Sequence, residues 1–268
     1  MKIAWFSCGI TSAVACKLAV ETWDDVELYY IHIDSHHSDN WRFIADCEEW
    51  IGKKINIVQS HKYKDQFDVI EKTRYINGAY GARCTKELKK EVRFKLEKEL
   101  KPENQIFGFE FSKKEINRAI RFKQQYPDTN PLFPLIEDKL TKERCAGILM
   151  SAGVELPVMY KLGYNNNNCV GCVKGKMGYW NKIRKDFPEV FDKMAKAERE
   201  TNATCIKEDL PGGGSQKVFL DELDKDRGRD LKPIVPDCGM FCQVEFTHLI
   251  DKRVEKIEKG ELSINEVL

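Results

Sequence analysis

The sequence predicts an α/β protein built on a parallel sheet, followed by a helical, loop-rich region that carries cysteines. Three observations lead there. Short apolar runs alternate with helical patterns through the first half. The run Val26–Asp34 (VELYYIHID) is rich in β-branched and aromatic residues, as a strand buried on both faces requires. From about Pro131 onward strand signals fade, while Pro, Gly and Asn become frequent. The expected division is an α/β domain over residues 1–135 and a helical and loop-rich region over 136–268.

In chain order, Lys2–Ser7 is a short apolar strand ending in a turn signal. Ser12–Val20 follows with small and apolar residues suited to a closely packed helix. After the strand at Val26–Asp34, Trp41–Ile51 has helical spacing and Lys54–Val58 is a third strand. Thr85–Leu100 is a charged helix in which Leu88, Val92, Leu96 and Leu100 form one apolar stripe. Gln105–Phe109 is a fourth strand and Lys113–Gln124 another helix. In the second half, Thr141–Ser151 and Trp180–Arg199 are helical, the latter broken at Pro188. Asp209–Gln216, with Gly212, Gly213 and Gly214, is expected to be a flexible loop or linker. Lys252–Lys259 is a short terminal helix. No internal repeat is present.

Of the 268 residues, 42% are hydrophobic and 32% charged, an ordinary balance for a soluble enzyme. The formal charge of +1 argues neither for nor against nucleic acid. No apolar run approaches the ~20 residues that span a bilayer. The start, Met1-Lys2-Ile3-Ala4-Trp5-Phe6, turns polar too soon for the apolar core of a signal peptide. A cytoplasmic location without a membrane partner is therefore expected. Ten cysteines are many for such a chain, and a reducing compartment disfavours disulfides. Cys16 and Cys47 fall in helical patterns, where a thiol acts as a small apolar residue.

Ser7-Cys8-Gly9-Ile10-Thr11-Ser12 lies between the first strand and the first helix. A helix N-terminus offers unpaired N–H groups and partial positive charge to a phosphate. Ser7, Thr11 and Ser12 add hydroxyls, and Gly9 admits close backbone approach. The segment has neither the Gly-x-x-x-x-Gly-Lys-Ser/Thr nor the Gly-x-Gly-x-x-Gly pattern. A Ser/Thr cap on an ordinary strand-to-helix turn is the plainer alternative. The second strand ends at Asp34, where an acid reaches a ribose or adenine. Arg118 and Arg121, three apart on one helix face, would hold an anion bidentately; a solvated basic face is the other explanation.

Ser7, Gly9, Thr11 and Ser12, with Cys8 in place of a first glycine, resemble the Ser-Gly-Gly-x-Asp/Thr-Ser loop of the PP-loop ATP pyrophosphatases (adenine nucleotide alpha hydrolase-like). Asp34 fits as well. Arg83-Cys84-Thr85-Lys86-Glu87-Leu88-Lys89 resembles the Cys-Thr-x-x-Leu-Lys segment of the branch similar to phosphoadenosine phosphosulfate (PAPS) reductase, which includes phage-borne members. In that branch the segment helps hold the anionic nucleotide or substrate; for Cys84 a packed thiol at a helix start is the alternative. The resemblance covers roughly residues 1–180.

Cys169-Val170-Gly171-Cys172 and Cys238-Gly239-Met240-Phe241-Cys242 are two close-spaced pairs far apart in sequence, the usual construction of one four-thiolate metal site. Four unrelated thiols are the alternative. Spacing does not separate Zn²⁺ from a [4Fe–4S] cluster; the resemblance favours the cluster. An open cluster on three ligands is a further possibility, and Cys145 is expected in the core. The resemblance also implies a C-terminal Glu-Cys-Gly-x-His tail in true sulfonucleotide reductases. This chain departs from it with Asp237-Cys238-Gly239-Met240-Phe241-Cys242. Lys174, Lys176, Tyr179, Trp180, Lys182, Arg184 and Lys185 are either a nucleic-acid patch or an amphipathic helix whose Trp180, Ile183, Phe187 and Phe191 face the core. His36-His37 is expected in a polar loop.

The resulting expectation is an enzyme that binds ATP or a related adenylyl nucleotide with Mg²⁺ and activates a substrate by adenylation. Sulfur from a donor, passed through the cysteine centre, would then thiolate a nucleobase or other small acceptor. Two alternatives remain: a sulfonucleotide reductase served by a thioredoxin-like reductant, and a zinc-stapled, non-catalytic module holding nucleic acid. A homodimer is among the expected assemblies.

Overall fold

A computed structural model describes residues 1–78, 81–237 and 242–259. Five strands form one sheet: β1 (Lys2–Phe6), β2 (Val26–His32), β3 (Ile55–Gln59), β4 (Asn104–Phe107) and β5 (Pro131–Leu132). Their order is β3-β2-β1-β4-β5 and every pairing is parallel. The chain runs outward from β1 through β2 to β3, then returns to β4 on the other side. The carboxyl ends of β1 and β4 therefore flank the point where strand order reverses, the place where open parallel sheets bind ligands.

Strand alternation explains why both faces are covered. Ala4, Phe6, Leu28, Tyr30 and Ile106 share one core with α1 (Ile10–Thr22), α2 (Asn40–Ile51) and, from the second half, α8 (Lys142–Ser151). Ile3, Trp5, Phe107, Phe133 and Ala119 make the core on the opposite face. The helices there are α5 (Glu91–Leu100), through the partly buried Leu96, and α6 (Lys113–Gln125), through Ala119. Alanines, Cys16 and Val14 let α1 lie buried between the sheet and α8. Cys16, Cys47 and Cys145 are all core residues.

The cores do not divide at residue 135. The first includes Cys145, Leu149 and, at the start of α12 (Cys242–Glu258), Cys242 and Phe246. A further core joins α10 (Met177–Asp186) and α11 (Pro188–Thr201) through Trp180, Ile183, Phe191 and Met194. Its other members include Ile70 of α3 (Gln66–Thr73), Ile76 and Ala82 from the first half. Trp180 and Ile183 are fully buried, so the basic and aromatic stretch has an amphipathic helix at its centre.

Three elements differ from expectation; one is the terminal helix, expected over Lys252–Lys259, which starts already at Cys242. The Gly212–Gly214 segment is the turn of an antiparallel hairpin, β6 (Ile206–Asp209) with β7 (Ser215–Val218). All three glycines have φ between 88° and 99°, and the Lys- and Glu-bearing strands carry no apolar alternation. The helix expected over 85–100 is α4 (Arg83–Thr85), a π-helical stretch Lys86–Lys90, then α5. The wider π turn rotates the apolar stripe. Leu88 packs beside Cys169, whereas Leu96 packs against the core of Trp5 and Phe107. Among the described residues no helix is long and apolar enough to cross a membrane.

Candidate functional site

The loop after β1 is folded around its own Ser12. The N–H groups of Ser7 and Gly9 donate to Ser12 Oγ at 3.0 and 3.2 Å, and that hydroxyl donates to Gly9 O at 2.9 Å. Ser12 is 3% exposed, so its hydroxyl organises the turn instead of facing a ligand. Cys8 takes a left-handed φ of 54°, the conformation that a glycine adopts without cost; Gly9 itself is extended at φ −101°. Cys8 O accepts Asn167 Nδ2 at 2.7 Å, and the same amide nitrogen donates to Asn40 Oδ1 at 2.7 Å. The asparagine run of the second half thereby pins the loop. Ile10 is fully buried and Thr11 half-buried. Ser7 is the exposed hydroxyl of the loop.

Ser7 opens onto a cavity of about 490 Å³ at the strand-order reversal. Its aromatic walls include Trp5, Tyr30, Phe107, Phe109, Phe122 and Tyr126. Its basic lining is Lys89, Lys90, Arg93, Arg118, Arg121 and Lys174, and no Asp or Glu of the described residues lines it. Arg118 and Arg121 thus come together with Ser7. The Arg118 guanidinium stacks 4.1 Å from the Phe109 ring centroid and donates to Glu115 at 2.9 Å. Asp34 stands apart from this arrangement: it is exposed, with Oδ1 3.4 Å from His32 Nε2. From the β2 side the lining residues are Tyr30, Ile31 and His36. His36 Nδ1 lies 2.6 Å from the Tyr30 hydroxyl. Burial, followed by the Lys89 and His32 charges, depresses its pKa to about 3.

A second cavity, of about 230 Å³, adjoins the first. It is bordered by Cys84, Cys169 and Cys172, with Ile33, Leu88 and Val173 among its apolar walls. Thr85, Lys89, Arg118 and Lys174 line both cavities. The Cys169–Cys172 turn is rigidly seated. Gly171 has φ 75°, and a β-carbon on it would stand 2.5 Å from Val190 Cγ1. Val170 N–H donates to Ser35 O at 2.9 Å, and Gln66 Nε2 donates to Val170 O at 2.9 Å. Cys172 N–H donates to the Tyr179 hydroxyl at 2.9 Å. Burial pushes the Cys84 thiol up to about 11, with the Cys169 and Cys172 sulfurs as further causes. Cys172 is also raised by burial. Beyond Cys172 lies a larger cavity of about 780 Å³, where Cys205 joins Cys172 and Lys174. Cys205 is raised well above the usual thiol value by burial and then by Glu198, with Cys172 and Cys84 as smaller causes.

Of the four cysteines expected from spacing, three lie among the described residues: Cys169 and Cys172 at this cavity, and Cys242 in the core of α1, α8 and α12. Cys169 and Cys172 share a cavity with Cys84, and Cys205 is close to Cys172. Cys242 packs in the core of α1, α8 and α12, with Cys145 and Leu149. Helix α12 turns it there because a thiol fills an apolar gap well. Cys238 lies outside the described residues. Sequence reasoning missed Cys205 and the lining residues Lys90 and Arg93, whereas Lys89 fell in the Cys-Thr segment and Lys174 in the basic stretch. The Cys-Thr segment was the available signal for Cys84. Among the described residues no three His, Cys, Asp or Glu side chains stand together as a ready-made site for a metal ion.

No family model matches the chain, and no curated protein does.

Proposed function

We propose that the chain is an ATP-dependent enzyme that adenylates its substrate and carries out sulfur chemistry at a thiolate-held iron–sulfur cluster. One observation carries this reading: the anion-attracting cavity at Ser7 and the thiol-lined cavity share Thr85, Lys89, Arg118 and Lys174 as walls. The two cavities adjoin through those four side chains, so a group activated in the first lies next to the cavity of the thiols. ATP with its Mg²⁺ is the substrate of the first cavity. A substrate oxygen attacks the α-phosphorus and pyrophosphate leaves. The loop N–H groups and the Arg118, Arg121 and Lys89 cations offset the charge that develops on the phosphates.

The thiol set suits a cluster. Soft thiolates select iron–sulfur and zinc. A single tetrahedral zinc would draw its sulfurs to about 3.8 Å of one another, from Zn–S bonds near 2.3 Å. A cluster instead spreads its ligands around its own volume, as thiols bordering a cavity allow. Cys84, Cys169 and Cys172, which border this cavity, would hold it; Cys205 lines the neighbouring cavity beyond Cys172 and is the candidate for a fourth ligand. When bound it supplies sulfur or electrons to the activated group. Lys89, Arg118 and Lys174 offset its negative charge.

The same excess of cations favours a second reading, reduction of a sulfonucleotide. One experiment separates the two. Anaerobically purified protein is incubated with α-labelled ATP and candidate acceptors, and in parallel with a sulfonucleotide and a thioredoxin-like reductant. AMP and pyrophosphate formation supports adenylation, and sulfite release supports reduction. A colourless protein with stoichiometric zinc and neither product would leave the nucleic-acid-binding module.

A further inference from the structure

Arg93 lines the cavity at Ser7, and the charge compensation proposed for the phosphates does not use it. It sits on α5, one turn beyond the π-helical stretch, and is 7% exposed. Four aromatic rings surround its guanidinium: Phe94 at 4.8 Å, Tyr126 at 4.9 Å, Phe122 at 5.0 Å and Phe107 at 5.8 Å to the ring centroids. Cation–π attraction offsets part of the cost of burying the charge. It does not satisfy the donors: Nε and Nη2 are both buried without a hydrogen-bond partner. Glu97 is the carboxylate that acts on the guanidinium, and it is itself engaged by the Thr129 hydroxyl at 3.2 Å. Lys90, beside Arg93 in the wall, donates to the Tyr126 hydroxyl at 2.9 Å. A buried, hydrogen-bond-hungry guanidinium in the wall of a cavity without acids is costly unless an anion arrives to meet it.

We propose that Arg93 recognises an acidic group (a phosphate, sulfate or carboxylate) on the molecule that fills this cavity, a group separate from the phosphate held at Ser7. This deepens the proposed function, and it rests on this cavity being the substrate cavity. The acidic group has two sources: a further phosphate of the nucleotide itself, or the acid of the co-substrate. The shared chemistry is a planar or tetrahedral oxyanion meeting a guanidinium inside an aromatic wall. Arg93 is then a specificity-determining residue that rejects neutral analogues, because without the oxyanion its charge stays unmet.

The test titrates ATP, and separately inorganic sulfate at constant ionic strength with and without saturating ATP, into wild type, Arg93→Met and Arg93→Lys. If the oxyanion belongs to the nucleotide, Arg93→Met weakens ATP at least ten-fold and Arg93→Lys several-fold. If it belongs to the co-substrate, ATP affinity stays within two-fold, and the ATP-saturated Arg93→Met protein binds sulfate at least ten-fold more weakly than wild type. ATP and sulfate both within two-fold of wild type in Arg93→Met overturn the proposal. Should Arg93→Met fail to fold, Arg93→Lys decides alone: it keeps the charge and loses the planar fork, and unchanged affinity for both ligands overturns the proposal. A wild type that binds sulfate but not ATP would sink the nucleotide reading and leave the sulfate comparison to judge Arg93.

Discussion

Gly108 lies against Ser12 so closely that a β-carbon on Gly108 would stand 2.6 Å from the Ser12 Cα, 2.8 Å from its nitrogen and 2.8 Å from Thr11 O. All three atoms are backbone of the first turn of α1, so no side chain can rotate out of the way. The end of β4 and the Ser7–Ser12 loop are one packed unit. Gly108→Ala is expected to cost about 1–3 kcal/mol in stability, the scale of overpacking, and to weaken ATP at least ten-fold. Gly9→Ala is the control for stability alone: its β-carbon would meet Tyr160 Oη at 3.4 Å from an extended backbone, while the ATP comparison is made against wild type. Thermal unfolding compares the two variants, and calorimetric titration measures ATP. A Gly108→Ala protein as stable and as tight for ATP as wild type would show that the loop does not depend on this contact.

Ser12→Ala removes the acceptor of two loop N–H groups at once. Leaving them without a partner in a half-buried turn is expected to cost about 1–3 kcal/mol. Because the hydroxyl faces the loop and not the cavity, nucleotide binding should fall through loss of loop order. Ligand concentration then partly restores the melting temperature. A variant with normal stability and absent binding would instead make Ser12 a direct ligand contact.

The cysteine assignments diverge enough for one series to decide. Cys84→Ser, Cys169→Ser and Cys172→Ser are each expected to lower iron and acid-labile sulfide several-fold in anaerobically prepared protein. Cys205→Ser distinguishes a fourth ligand from a neighbour. Cys145→Ser and Cys242→Ser should keep their iron. Cys145→Ser should lose about 1–3 kcal/mol by burying a hydroxyl in an apolar site. Full iron in Cys84→Ser together with empty Cys242→Ser protein would return the site to the Cys169, Cys172, Cys238 and Cys242 set.

His36 gives the acid limb of stability a specific slope. Its folded pKa is near 3, against 6.5 for the ordinary imidazole. Above pH 6.5 both states are neutral and nothing is lost. As pH falls from 6.5 towards 3 the unfolded chain takes up a proton that the folded one resists, so stability declines. The full effect is about 1.4 kcal/mol per pH unit. Because His36 is only half-buried by surface area, about 1 kcal/mol between pH 6.5 and 5 is a fair expectation. Denaturant unfolding of wild type and His36→Gln at those two pH values measures it, and equal slopes would count against a buried neutral imidazole.

The sequence alone determined the alternation of β1, α1, β2, α2 and β3, because period-two and helical patterns are local properties of the chain. It also marked Ser7, Arg118 and Arg121, which line one cavity, since a strand-to-helix loop is written in consecutive residues and an arginine pair in helical spacing. Pro188 marked the break between α10 and α11 for the same reason. Tertiary structure decided the rest. The cores interleave across residue 135 because α8 must cover the exposed side of α1. Arg93 is buried because α5, following the π turn, packs it among Phe107 of β4, Phe122 of α6 and Tyr126. Cys84, Cys169 and Cys172 border one cavity while Cys242 packs in another core, because long-range packing decides where each thiol lies. Close spacing of two cysteines costs little entropy and is easily read. Bringing Cys84 and Cys172 to one cavity closes a long loop, and only the folded packing of α3, α4 and the Gly171 turn brings it about.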